Sequence, residues 1–443
     1  MQRAAEVIIV GAGPVGLFAA LRLGQAGITT TVLEKESGIS QLPRACMYYP
    51  QVQFALRDAG IWSDIITGGG FRTTGLDIRL PPVSDGKGGK IPGQLVANFP
   101  EEPAFDPKVD AYGPPVDPPH MSMLNMPQVD LANVLLKKAL ETQHVQVHFN
   151  KELIDILDGP SADSVGIRIT VRHALSDTKE EYTGSYLVGA DGGRSKTRAL
   201  LQVPFPGHTW PEKLIATDVW LPNNEGGPKN TTLLMHNTQY VILSPLSPPV
   251  PGEISKWRVT FAVDPEELKT NPIEHFTSDE YVSAMYDRVW VGPRPISWKI
   301  DRISPYTIHQ RLAATLKRGR CLLLGDAAHL NNVIGGLGLS NCLLDAVSLS
   351  DALILTLREG KPSDAVLNMY SDERRQVFQF FIDPVSSWSK LRVQSGETDD
   401  WFFRALNDTS SPAFANYINT LQNVWPTHIR EMAQTLPSRQ APL

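Results

Sequence analysis

The order of apolar and polar positions over residues 6–36, EVIIVGAGPVGLFAALRLGQAGITTTVLEKE, is a short apolar run, a glycine turn, a longer run of small and apolar residues, and a second short apolar run. That order predicts a buried strand, a helix and a second strand, one βαβ unit. Residues 48–66 carry helical spacing, and 127–142 (PQVDLANVLLKKALET) begin with proline in a first turn and continue with apolar residues at helical spacing, which predicts a helix. Alternating segments follow in VQVHF, VGIRITV and YTGSYLVGA. Between 215 and 303 the pattern becomes several strand-like runs (IATDVWL, TTLLM, YVILSPL, WRVTFAV, ISWKI) separated by Pro, Gly and Asn loops, as expected of an inserted antiparallel sheet. Residues 320–325 return to a buried strand, so the chain leaves its first domain and comes back to it. After Glu373 the tail reads as helical.

The predicted fold class is therefore α/β: a discontinuous Rossmann-like domain over 1–75, 121–200 and 305–360, a sheet domain over 76–120 and 201–304, and a C-terminal helical region over 361–443. One stretch resists regular structure. Residues 81–120 hold ten prolines and five glycines, which predicts a long loop or ragged strands over the surface and suggests a cover for substrate access.

Composition narrows the class of partner. A chain of 443 residues with 42% apolar content has a sizeable core, and its net charge of −6 comes without a basic block, so neither a nucleic-acid footprint nor an anionic-membrane footprint is expected. A small molecule is the expected partner. Three cysteines (Cys46, Cys321, Cys342) give neither a disulfide framework nor the close pair spacing of a metal site, so no metal is expected. With no signal-like start before VIIVGAG, the expected location is cytoplasmic. The apolar stretch 337–357 is interrupted by Asp345 and Asp351 and reads as a buried helix, not a membrane span.

Three motifs carry chemistry. In Gly11-Ala12-Gly13-Pro14-Val15-Gly16, the first glycine permits a tight turn, the second lets backbone approach a pyrophosphate, and the third lets helix pack on strand. Glu34, with Lys35 beside it, ends the second strand, where a carboxylate can bind ribose hydroxyls; strand, helix and acid in register point to a dinucleotide site. In YLVGADGGRSKTR a strand ends at Asp191, which either holds ribose and pyrophosphate or caps the following helix. In CLLLGDAAHLNNVIGGLGLSN, Gly325-Asp326 follow a strand, and Gly335, Gly336 and Gly338 expose backbone at the start of the next helix.

In this order the three motifs resemble those of the single-component FAD-dependent aromatic hydroxylases, the flavoprotein monooxygenase group that includes p-hydroxybenzoate hydroxylase and phenol hydroxylase, over about residues 7–357. The resemblance implies FAD, with its pyrophosphate on Gly11, Gly13 and Gly16, its ribose on Glu34, its ribitol on Asp326, and Gly335, Gly336, Leu337, Gly338 and Leu339 beside the isoalloxazine. It implies that Asp191 serves both FAD and the nicotinamide, and it matches Arg44 in "PRA" and Gln128 at the head of a helix to cofactor positions. This chain has Asn332-Val333 where relatives often have two prolines, and Leu337, Leu339 and Ser340 where Gln, Met and Asn are common.

The implied reaction is reduction of FAD by NADH or NADPH, capture of O2 as a flavin C4a-hydroperoxide, and transfer of one oxygen atom to a phenolic or polyketide-like aromatic substrate in a water-poor pocket. Baeyer-Villiger oxidation, epoxidation and oxidative dearomatisation are alternatives with the same cofactor. A non-catalytic binding protein on the same fold is an alternative of another class, and a plain NAD-dependent dehydrogenase would leave Asp191 and Asp326 without purpose. Matching residues 236–247, HNTQYVILSPLS, to the corresponding hairpin of the hydroxybenzoate enzymes puts Ser244 at a substrate contact, but Leu246 and Leu233 where those enzymes have an arginine and a tyrosine. This argues for a larger, more apolar substrate. Candidates for a base are Tyr48, Tyr49, His236 and Tyr240, each of which can instead be structural, and Arg258 is a candidate to orient a polar substituent.

Overall fold

The structure, a computed structural model, describes residues 3–99, 112–113, 122–161 and 163–437. Strand Arg3–Val10, helix Pro14–Gln25 and strand Thr30–Leu33 form the expected βαβ unit, with the two strands parallel and in direct contact. Val7 to Val10 are buried because both faces of this sheet are covered, and that is why the strand reads as an unbroken apolar run.

Four parallel strands matter for the site. Arg3–Val10 pairs with Thr30–Leu33 on one side and with Lys179–Gly189 on the other, and Lys179–Gly189 pairs in turn with Cys321–Leu323. Their carboxyl ends are therefore neighbours, although the segments lie far apart in sequence. Val145–His148 extends the sheet in parallel, while Ile167–His173 and Lys151–Asp158 close its other side antiparallel. Lys151–Asp158 was not foreseen as a strand, because a lysine, two aspartates and a glutamate dilute its apolar positions.

The second sheet runs in the order His329–Leu330, Lys299–Leu312, Gly207–Pro222, Ile254–Val263, Val241–Pro245, Thr231–Leu234, Leu76–Arg79, Leu95–Asn98. All pairs are antiparallel except Thr231–Leu234 with Leu76–Arg79. Lys299–Leu312 is one continuous strand, so it crosses the expected boundary at 304/305. Within 81–99 the chain forms a two-residue hairpin (Val83–Ser84 with Lys90–Ile91) and the edge strand Leu95–Asn98. Most of the remaining expected cover, 100–111 and 114–120, lies outside the described residues.

Period-two alternation gives this sheet two different faces. Ile215, Val219, Val241, Leu243, Trp257, Val259 and Phe261 pack with helix Asp279–Val289, which the sequence reading did not foresee, in a separate core. Ala216, Ile242, Ser244, Arg258 and Thr260, the residues in between, face the opposite way, towards the parallel sheet. Helix Leu337–Leu357 is long and apolar enough to cross a membrane by length and composition, but most of it is buried, including Asp345. C-terminal helices, among them Ser363–Val377 and Asp383–Ser395, pack against the same core.

Candidate functional site

The carboxyl ends of the four parallel strands deliver Gly11, Glu34, Asp191 and Gly325-Asp326 to one rim. This is where ligands bind in open parallel sheets, because strand-to-helix turns leave backbone amides free there.

The glycine turn divides into packing and open positions. A Cβ on Gly11 would lie 2.3 Å from the Ala190 carbonyl oxygen, and one on Gly16 would lie 2.2 Å from that of Gly11. Gly11 also has φ 111°, a left-handed value that favours glycine. A Cβ on Gly13 would meet nothing within 4 Å. Two glycines are thus demanded by the protein's own backbone, and the middle one borders open space. Helix Pro14–Gln25 begins at Gly13 with no side-chain cap and no acid in its first turn, so its start suits an anionic group.

Glu34 is oriented by two backbone donors, the amides of Ala12 (2.9 Å) and Glu36 (3.0 Å). Lys35 forms an exposed ion pair with Glu36 at 3.6 Å. Asp191 accepts from the Ser195 hydroxyl (2.5 Å) and from the Thr197 amide (2.9 Å), so its carboxylate is engaged in capping the Lys196–Leu200 turn. Arg198 donates to the carbonyls of Ala327 and Gly193, both at 2.8 Å, and so ties the second motif to the third.

Asp326 has a different environment. Its side chain is exposed at the rim, yet protein crowds it at longer range, and this desolvation pushes its carboxyl above the usual carboxylate range against the pull of His329 and Arg44. Among the described residues the side chain hydrogen-bonded to it is Cys342, whose sulfur lies 3.6 Å away. His329 faces the core instead: its Nε2 lies 2.6 Å from Asp345, which Arg374 also holds at 2.5 Å, and its ring stacks on Phe378.

Between this rim and the inner face of the second sheet lies a cavity of about 200 Å³. Gly335, Gly336, Gly338 and Leu339 form one wall with Asn331, Asn332 and Val333; Arg44, Cys46 and Met47 form another; the sheet contributes the third. Gly336 has φ 68° and begins helix Leu337–Leu357 without a side-chain cap or an acid in the first turn. Leu337 itself is fully buried and absent from this wall, so only its backbone is available there. Tyr49 braces the wall by donating from its hydroxyl to the Gly335 carbonyl at 2.6 Å. Arg44 is exposed beside the cavity, with no ion-pair partner among the described residues. Gln128 holds the Arg44 loop through its backbone amide, which donates to the Ala45 carbonyl at 3.1 Å.

Arg258 is central to the sheet wall. Register places it directly opposite Asp218 on one neighbouring strand and Ser244 on the other. Its Nε and Nη2 donate to the Asp218 carboxylate at 2.7 and 2.9 Å, and both residues are buried. Its remaining nitrogen, Nη1, is buried with no hydrogen-bond partner among the described residues, and the Cys46 thiol lies beside the guanidinium. Tyr306, which the sequence reading did not single out, also lines the cavity, with its hydroxyl pKa pushed far up by desolvation. Its signal was the polar-apolar alternation of ISPYTIHQRL, but the expected domain boundary fell beside it.

The other three catalytic candidates lie elsewhere. Tyr48 is wholly buried behind the wall, and burial raises its hydroxyl well above the ordinary tyrosine value, the opposite of what a base needs. Tyr240 is buried and donates to Glu212 at 2.9 Å, in a cluster completed by Lys390. His236 ends a hairpin, with its Nδ1 accepting from the amides of Thr238 and Gln239, and burial lowers its pKa. None of the three lines the cavity. Cys46 does, but its thiol is buried and pushed up by desolvation.

A family model described as "FAD binding domain" matches residues 4–384. The para-nitrophenol 4-monooxygenase of Pseudomonas sp. (strain WBC-3) is 31% identical over 392 residues, 87% of this chain and 87% of that one. The 6-hydroxy-3-succinoylpyridine 3-monooxygenase HspB of Pseudomonas putida (strain DSM 28022 / S16) is 29% identical over 390 residues, with 87% and 88% covered. The crystal structure of p-nitrophenol 4-monooxygenase PnpA from Pseudomonas putida DLL-E4 superimposes with a TM-score of 0.74 at 27% identity over 100% of both chains.

Proposed function

We propose that this chain, which belongs to the FAD binding domain family and is an FAD-dependent aromatic monooxygenase, transfers one oxygen atom from O2 to a single-ring phenol, with NADH or NADPH as reductant. The observation that carries the substrate class is Arg258, which lines a small, otherwise largely apolar cavity and whose buried Nη1 has no hydrogen-bond partner among the described residues. Its volume of about 200 Å³ exceeds the roughly 150 Å³ that holds benzene and falls below the roughly 300–1,000 Å³ of pockets for drug-sized ligands. That size favours one substituted ring over the larger, polyketide-like substrate suggested by Leu233 and Leu246. The two relatives compared above are likewise named for one-ring compounds that bear a hydroxyl and a second polar group.

The rim fits the cofactor: Gly13 and the start of helix Pro14–Gln25 would take the pyrophosphate, Glu34 a ribose, Asp326 the ribitol, and the Gly335–Leu339 backbone the ring. When bound, FAD supplies electron uptake from the nicotinamide and activation of O2. The chain's own residues prepare the phenol. Arg258 Nη1 donates to the phenol oxygen and favours its ionised form, which is the better carbon nucleophile. Asp218 balances the arginine's charge, so the donor is presented without a net buried charge. Tyr306, kept protonated by its raised pKa, acts as a second donor rather than a base. Leu76, Ala216, Leu233 and Ile242 exclude water from the reacting face.

The test is a series of phenols of rising size, from one ring to fused rings, assayed for stimulation of nicotinamide oxidation and for incorporation of ¹⁸O from labelled O2. Para-substituted one-ring phenols should give the highest kcat/KM and labelled products. Preference for fused rings, or no labelled product from any phenol, overturns the reading.

A further inference from the structure

The wall that faces the flavin site is a loop with little intrinsic stiffness. Gly335 and Gly336 both take positive φ, at 87° and 68°, and residues 331–336 contain no proline. Beside bonds within the loop, two side chains hold it from outside: Tyr49 at the Gly335 carbonyl and Gln310 at Asn332. Gln310, buried in strand Lys299–Leu312, accepts at its Oε1 from the backbone amide of Asn332 (3.0 Å) and from Asn332 Nδ2 (3.3 Å). Its Nε2 donates to Asp383 Oδ1 (2.7 Å) and to Ser386 Oγ (3.0 Å) on helix Asp383–Ser395. Asn332, fully buried, passes the support on: its Oδ1 accepts from the Ile334 amide at 3.0 Å, just before the two glycines.

Every hydrogen-bonding capacity of the Gln310 amide facing these groups is used, and in one orientation only. Rotating it by half a turn would set its oxygen against the Asp383 carboxylate and its NH2 against the two Asn332 donors. The helix that receives it is itself anchored, because Lys390 forms a buried ion pair with Glu212 at 2.5 Å. A glycine-rich segment is thus tied through one amide to a fixed C-terminal helix.

We propose that Gln310 is a positioning residue for the oxygenation site: acting through Asn332, it sets the loop 331–336 against the flavin ring and makes the geometry of that wall depend on helix Asp383–Ser395. This rests on the reading of the loop as the flavin wall. Loss of the bracket should loosen the loop, let water reach the reacting face and divert reducing equivalents to hydrogen peroxide, while FAD remains bound through the rim.

The experiment uses the FAD-loaded protein and the variants Gln310→Leu, Gln310→Glu, and Gln310→Glu combined with Asp383→Asn. The measurements are amide hydrogen exchange in peptides spanning 331–336, visible circular dichroism of the flavin, and the peroxide yield per nicotinamide oxidised. Gln310→Leu should speed exchange of the loop about five- to thirtyfold, the effect of one to two lost hydrogen bonds, alter the flavin dichroism, and raise the peroxide fraction with kcat falling more than KM changes. Gln310→Glu sets two carboxylates together and should do the same or worse. Adding Asp383→Asn restores a donor for the new carboxylate and should bring all three readings back towards wild type. The proposal is overturned if Gln310→Leu merely lowers the melting temperature while the loop and flavin signals stay as in wild type, or if the paired variant recovers nothing relative to Gln310→Glu. If loop exchange responds as expected but flavin dichroism ignores these variants and also Gly335→Ala, the bracket stands and the placement of the flavin beside this loop fails.

Discussion

The two walls of the cleft are built by opposite means. The rim of the parallel sheet is made from backbone: strand ends, glycine turns and helix starts whose spacing along the chain already declares them. The wall of the second sheet is made from side chains on Thr231–Leu234, Val241–Pro245, Gly207–Pro222, Ile254–Val263 and Lys299–Leu312, which meet only because their registers align. A groove for a common cofactor can be read from local pattern. A pocket for a particular substrate cannot, since a one-residue slip in any strand would turn its contribution to the other face.

This contrast is broken most forcefully at Arg258. Arg258→Leu leaves Asp218 as an uncompensated buried charge and should cost about 3–5 kcal/mol of stability, measurable by denaturant unfolding. Arg258→Leu with Asp218→Leu should recover most of that loss but not turnover of phenols. Recovery of turnover as well would deny Arg258 a role towards substrate.

Asp326 tests the rim. Replacing it with alanine removes a charge-assisted contact of about 1.5–3 kcal/mol, so FAD affinity should fall roughly ten- to a hundredfold while the apoprotein melts like wild type at low pH. The pH dependence has a definite sign. The folded apoprotein binds this proton more tightly than the unfolded chain does, so Asp326 lowers apoprotein stability above its unfolded pKa, and the penalty vanishes below it. Asp326→Asn apoprotein should therefore equal wild type at the acid end, gain on it as pH rises from the unfolded pKa to the raised folded value, and keep a constant lead above that.

The glycines sharpen the comparison further. Gly16→Ala forces a Cβ against the Gly11 carbonyl and should cost about 1–3 kcal/mol with or without cofactor. Gly13→Ala meets open space, so the apoprotein should change by less than about 0.5 kcal/mol while FAD titrates more weakly. Equal losses in both variants would mean that the middle glycine also serves packing. The smallest effect is expected at Tyr306→Phe. Loss of one hydrogen bond worth about 0.5–1.5 kcal/mol should lower kcat/KM up to about tenfold and leave FAD affinity unchanged.

How much was legible follows the same division. The βαβ unit, the three motifs and the return of the chain at Cys321–Leu323 were readable because each rests on residues close in sequence, and the matched family agrees with the cofactor they imply. Tyr48, His236 and Tyr240 misled because the sequence displays a polar group without its neighbours. Tyr240 meets Glu212, and His236 caps its own hairpin. Strand Lys151–Asp158 and helix Asp279–Val289 escaped because their apolar positions become a face only once a partner surface is present.

The sequence by itself determined the Rossmann-like unit and the order of glycines and acids proposed to receive FAD, because short-range spacing sets where a turn exposes its amides. Only the tertiary structure decided which side chains share the cavity: Arg258 with Asp218 and Ser244, Tyr306 opposite the Gly335 loop, and Gln310 between Asn332 and the C-terminal helix. The partners within these groups are separated by 14 to 73 residues, and their proximity is a property of sheet register and helix packing that no local pattern encodes.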